Sequence, residues 1–140
     1  MSRILALDFG AKRVGVAISD PLGIFAQGLN TFNIRGKADL LTKLSRYFNS
    51  YEIAEVIIGN PLNNQGEDSK LSQEIKKFAK ILGENREVKV ILWDERYSTK
   101  EAETILKSLN SRNIKSQVDK VAAQIILQSY LERIRSERGI

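Results

Sequence analysis

The sequence predicts an α/β fold in three layers, a mixed five-stranded sheet that opens with three antiparallel strands and is flanked by helices. Two observations carry this. Strand-like runs crowd the first third of the chain, and runs with helical spacing then alternate with further strands. In addition, several of these strands end in an acidic or amide residue, where open α/β sheets place their ligands.

Arg3 to Phe9 reads as a buried strand ending in Asp8-Phe9-Gly10, and Arg13 to Ser19 alternates enough to be a second, with Gly10 to Lys12 as the hairpin turn. Asp20-Pro21-Leu22-Gly23 is a turn cluster, and Gln27 to Ile34 forms the third strand. After Gly36, Leu40, Leu41, Leu44 and Phe48 recur at helical spacing, which predicts an amphipathic helix from about Lys37 to Asn49. Ile53 to Gly59 is a β-branched run without polar alternation after Glu55, as in a central strand covered on both faces, and it stops at Asn60-Pro61. A second helix carries Leu71, Ile75, Phe78, Ala79 and Leu82 and is expected to end at Gly83. Val88 to Trp93 is the fifth strand and runs into Asp94-Glu95. Ser98 or Thr99 can cap a third helix bearing Ala102, Ile105, Leu106 and Leu109, and Asp119 opens a last helix to about Ser136.

The chain has 140 residues, 42% apolar and 28% charged, which fits one soluble domain over residues 1–140. It contains no cysteine and no histidine, so disulfides, thiolate or imidazole metal sites and every histidine-dependent triad are excluded. A metal here must bind oxygen, which suits Mg²⁺ or Mn²⁺. The start lacks the charged and apolar regions of a secretory signal, and no apolar run is long enough for a membrane span, so a cytoplasmic location is expected. A net charge of +5 favours an anionic partner without identifying it.

Asp8, Asn60 and Asp94-Glu95 all fall at strand ends, and Asp119 begins the last helix beside them. Carboxylates gathered within a few ångströms repel one another unless a cation neutralises them, so an acidic cluster in a basic protein points to metal. Two hard cations could then activate water and stabilise the leaving oxygen at a phosphate. Each acid also has a plainer role open to it. Asp8 can cap the Phe9-Gly10 turn, Asp119 can be an N-cap, and Asp94 or Glu95 can pair with Arg96 or Lys100 at the surface.

Four motifs sharpen the choice. Leu7-Asp8-Phe9-Gly10-Ala11-Lys12-Arg13-Val14-Gly15-Val16-Ala17, Ile58-Gly59-Asn60-Pro61-Leu62 with Gly66, Asp94-Glu95-Arg96-Tyr97-Ser98-Thr99, and Asp119-Lys120-Val121-Ala122-Ala123-Gln124-Ile125-Ile126-Leu127-Gln128 resemble, in order, the motifs of the YqgF/RuvX family. The resemblance spans nearly the whole chain and implies an RNase H-like fold related to the RuvC junction resolvases. It further implies a nuclease that matures the 5′ end of the small-subunit ribosomal RNA precursor, with branched DNA as the alternative substrate. Position by position it implies Asp8, Glu95 and Asp119 as the catalytic, metal-holding triad, and Lys12, Arg13 and Arg96 as contacts to nucleic acid. Asp94 stays open, because neighbouring strand residues point to opposite faces and only one of Asp94 and Glu95 can aim into a site. Asn60 is a departure: relatives commonly carry a hydrophobic residue there.

Two other classes are compatible with parts of the pattern. The phosphate-binding half of an actin-like kinase or ATPase also begins with an Asp-x-Gly hairpin, but that architecture needs two such domains. A catalytically silent nucleic-acid-binding module is the other, against which stands the retention of all three acids. Neither the choice between RNA and DNA nor that between monomer and homodimer is legible in the sequence.

Overall fold

The computed structural model describes residues 2–10, 12–61, 69–94 and 118–138. The expected third helix, with Glu95 and Arg96 before it, lies outside these residues. Five strands are present: β1 (Arg3–Phe9), β2 (Arg13–Ser19), β3 (Ala26–Asn33), β4 (Ile53–Asn60) and β5 (Lys89–Asp94). They form one sheet in the order β3-β2-β1-β4-β5. The first three pair antiparallel, and β1, β4 and β5 run parallel, so the carboxyl ends of these last three share one edge. That is the mixed sheet expected from the sequence.

Helices α1 (Lys37–Ser50) and α2 (Lys70–Arg86) cover one face of the sheet, and α3 (Val118–Glu137) covers the other. Strand alternation divides the core between them. Leu5 and Leu7 of β1, Val56 and Ile58 of β4, and Val14, Val16 and Ile18 of β2 pack with Leu40, Leu44, Ile75, Phe78 and Leu82 of the paired helices. Ala6, Ala17, Ile57 and Trp93 meet Ala123, Ile126, Leu127, Tyr130 and Leu131 of α3. Small residues on the central strands let α3 approach closely. Its glutamines tie it to the sheet edge: Gln128 accepts from the Ala26 amide at 2.9 Å and donates to the Ile24 carbonyl at 3.0 Å.

One boundary differs from expectation. Helix α2 does not stop at Gly83 but continues to Arg86, and the turn is made by Glu87 at φ 53°. Gly83 instead faces β5, where a Cβ would lie 3.5 Å from the Val88 carbonyl oxygen and 3.6 Å from a Val90 methyl. A glycine near a helix end thus serves packing rather than termination. The amino end of α2 is capped by Ser69, whose hydroxyl accepts from the Ser72 amide at 3.0 Å.

Candidate active site at the carboxyl edge of the sheet

Asp8 is the penultimate residue of β1, opposite Gly15 of β2. Leu7 and Phe9 face α1 and α2, so alternation puts Asp8 on the other face, with Ala6, beneath α3. Asp119 stands in the first turn of α3, where only its backbone is described. Asp8 and the helix that carries Asp119 therefore occupy the same face.

Asn60 and Asp94 end their strands side by side, as register partners of β4 and β5. Alternation from Ile58 and Leu92 turns both toward α2, away from the face of Asp8. For Asn60 the side-chain contact agrees, since its Oδ1 accepts from the Ser72 hydroxyl of α2 at 2.5 Å, with Asn60 7% exposed and Ser72 fully buried. Sequence reasoning placed Asp8, Asn60 and Asp94 at one edge, where their strands do end, but did not distinguish their faces. Among the described residues no group of three or more acids is close enough to hold a metal ion.

Gly10 follows β1 and faces Arg13 at the start of β2. The Gly10 amide donates to the Arg13 carbonyl at 2.7 Å, and a Cβ on Gly10 would lie 3.3 Å from that same oxygen, tighter than a substituent normally sits. Lys12 and Arg13, at the start of β2, are exposed. The Lys12 carbonyl accepts from the Ile34 amide at 3.1 Å, which anchors the hairpin to the segment leading into α1.

A feature the sequence did not reveal lies on the α1 and α2 side of this edge. Phe9, Gly10, Ile34, Lys37, Leu71 and Glu74 are among the residues lining a cavity of about 260 Å³. Phe9 packs on Phe78 with ring centroids 5.5 Å apart, and Lys37 Nζ meets Glu74 Oε2 at 2.8 Å across the opening. In the sequence these residues read as separate strand-end, turn and helix positions, because nothing in a helical repeat tells which turns of two helices will meet each other and a strand end.

Comparison with known proteins agrees along the length of the chain. The sequence profile of the RuvX family, described as Holliday junction resolvase, matches residues 2–133. A protein of Caldicellulosiruptor bescii named "Putative pre-16S rRNA nuclease" is 46% identical over 134 residues, covering 93% of this chain and 96% of that one. A protein of Koribacter versatilis with the same name is 42% identical over 141 residues, covering 99% and 89%. Among solved structures, T. thermophilus RuvC in complex with a Holliday junction substrate aligns at a TM-score of 0.67 and 10% identity, covering 99% of this chain and 97% of RuvC. The Fowlpox virus resolvase in complex with junction DNA aligns at 0.62 and 19% identity, covering 94% and 98%. At such identities these structures speak to the fold, and they bear out the RNase H-like architecture. With motifs, profile and fold in agreement, this chain belongs to the RuvX family.

Proposed function

We propose that the protein is a metal-dependent endonuclease that hydrolyses phosphodiester bonds and processes the 5′ end of pre-16S rRNA. The observation that carries this reading is the position of Asp8, at the carboxyl end of a central strand and on the face crossed by the helix that begins beside Asp119. The relatives named for pre-16S rRNA support the substrate. Water supplies the oxygen that bonds to phosphorus, the ester P–O bond breaks, and the departing oxygen takes a proton.

The donor chemistry fits a hard cation, because a chain without histidine or cysteine offers only oxygen ligands. Asp8, Glu95 and Asp119 would hold Mg²⁺ or Mn²⁺. Such ions, when bound, lower the pKa of water and stabilise charge on the leaving oxygen. The chain's own part is to hold the acids and to bind the phosphate backbone through Lys12, Arg13 and Arg96. Asp94 has no place in the triad, since it ends β5 on the face opposite Asp8.

The test is cleavage of a labelled pre-16S 5′ segment in chelator and with Mg²⁺ or Mn²⁺ restored, with Asp8→Asn, Glu95→Gln and Asp119→Asn beside the wild type. Metal-dependent cutting that each amide abolishes while the fold persists is the expected result. Full activity in chelator would overturn it. The family's description favours a second substrate, branched DNA. A four-way junction in the same assay decides between them: symmetric paired cuts support the junction reading, which requires two sites and hence a homodimer, whereas end trimming needs one.

A further inference from the structure

We propose that the cavity between α1 and α2 receives an unpaired nucleobase of the substrate, from a nucleotide neighbouring the bond that is cut. This rests on the nuclease reading above and adds a base-binding subsite to it.

Position is the first argument. Phe9 lines the cavity and follows Asp8 directly, with Cα atoms about 3.8 Å apart. The two side chains point to opposite faces, but both lie at the edge where those faces meet. A strand draped over the edge with its phosphate at Asp8 therefore brings a neighbouring base to the α1 and α2 side. The segment that carries Lys12 and Arg13 is tied to the cavity wall, because the Ile34 amide donates to the Lys12 carbonyl at 3.1 Å.

Chemistry is the second. A nucleobase needs an apolar, preferably aromatic surface for its ring and polar groups for its edge. Phe9 offers the ring surface and is held in place by Phe78 beneath it, while Leu71 and Ile34 close the sides. At the rim, Glu74 is bracketed by Lys37 at 2.8 Å and Lys77 at 3.4 Å. The carboxylate can accept from an exocyclic amino group, as on adenine or cytosine, and the two ammonium groups leave the rim net positive toward phosphate. A base paired in a duplex has no free face to insert, so the subsite selects unpaired nucleotides.

The experiment uses a short single-stranded RNA of mixed sequence, with an abasic site placed at each position in turn, and maps the products formed with Mn²⁺. The wild type should lose about tenfold in cutting at one fixed offset between the abasic site and the cleaved bond, the scale of one base stacked on an aromatic ring. Leu71→Trp, which fills the cavity, should cut intact RNA about tenfold more slowly and show no penalty at that offset. Glu74→Gln, at an exposed position, keeps the fold and should narrow the preference between bases with and without an exocyclic amine. Efficient cutting with no offset-dependent penalty in the wild type would overturn the subsite and leave the nuclease reading intact. If the wild type cuts nothing, the nuclease reading fails, and equilibrium binding decides the subsite: equal affinity for intact and abasic RNA overturns it, and about tenfold weaker abasic binding that Leu71→Trp erases supports it.

Discussion

Replacing Ser72 with alanine removes the hydroxyl that donates to Asn60 Oδ1 at 2.5 Å, where both residues are almost wholly shielded from water. A bond of this kind contributes about 1 kcal/mol net, and a buried amide oxygen that loses its donor carries a desolvation cost of about 1–3 kcal/mol. Asn60→Leu on its own removes the acceptor and should cost a similar amount. The double variant Asn60→Leu/Ser72→Ala replaces both polar groups with apolar ones and should recover most of the loss, so the pair couples by about 1–2 kcal/mol. Thermal melting reads this directly, since 1 kcal/mol corresponds to roughly 4 °C in a chain of this size. Strand β4 lies between β1, which carries Asp8, and β5, which leads directly into Glu95 in sequence, so a loosened Asn60 end should slow cleavage in each single variant and less so in the double. Additive losses would refute the reasoning, because they would mean that the two side chains stabilise the fold independently.

Burial pushes the Asp20 carboxyl up, but amides including those of Phe25 and Ile24 outweigh it and hold the group below its ordinary value; Asp20→Ala should cost about 1–2 kcal/mol. Because the folded-state pKa is the lower one, that contribution is present above the ordinary carboxylate range and disappears as pH falls through the depressed value, which acid melts of the two proteins will show as convergence. Tyr130 behaves oppositely: burial, then the charge of Glu55, raise its hydroxyl to about 12, so its stabilisation should be lost from about pH 10 upward, and Tyr130→Phe should flatten the alkaline limb of the melting curve. Replacing Lys12 or Arg13 with a neutral residue should make RNA affinity less sensitive to salt, lowering the log–log slope by about one for each phosphate the side chain neutralises, as measured by titration over a range of ionic strength. An unchanged slope would return these residues to the role of solvated turn charges.

The sheet was legible because its strands announce themselves by composition: β-branched runs such as Val56-Ile57-Ile58 and the short hairpin at Gly10 leave few alternatives. Helix α1 was legible from Leu40, Leu41, Leu44 and Phe48. The end of α2 was not, because a glycine at a helix end and a glycine against a neighbouring strand look alike until the strand is placed. Gly83 is the second kind. Asn60 was visible as a polar strand end, yet its partner was hidden, since Ser72 reaches it only through the rotation of α2 on the sheet.

For the acids, sequence spacing locates an edge but not a face, and the face is what matters chemically. Asp8, Asn60 and Asp94 share the carboxyl edge of three parallel strands, so a reading by strand ends alone gathers them into one cluster. Two-residue alternation separates them, because Asn60 follows Ile58 and Asp94 follows Leu92 on the side of α1 and α2, whereas Asp8 follows Ala6 on the side of α3. The same edge can therefore carry two different chemistries. In the reading proposed above, the Asp8 carboxylate on the α3 side holds a cation, and the cavity lined by Phe9, with Lys37 and Glu74 paired at its rim, takes a base on the far side. A nucleic-acid strand whose sugar–phosphate backbone crosses the edge, with its bases projecting from the sugars, can then meet both at once.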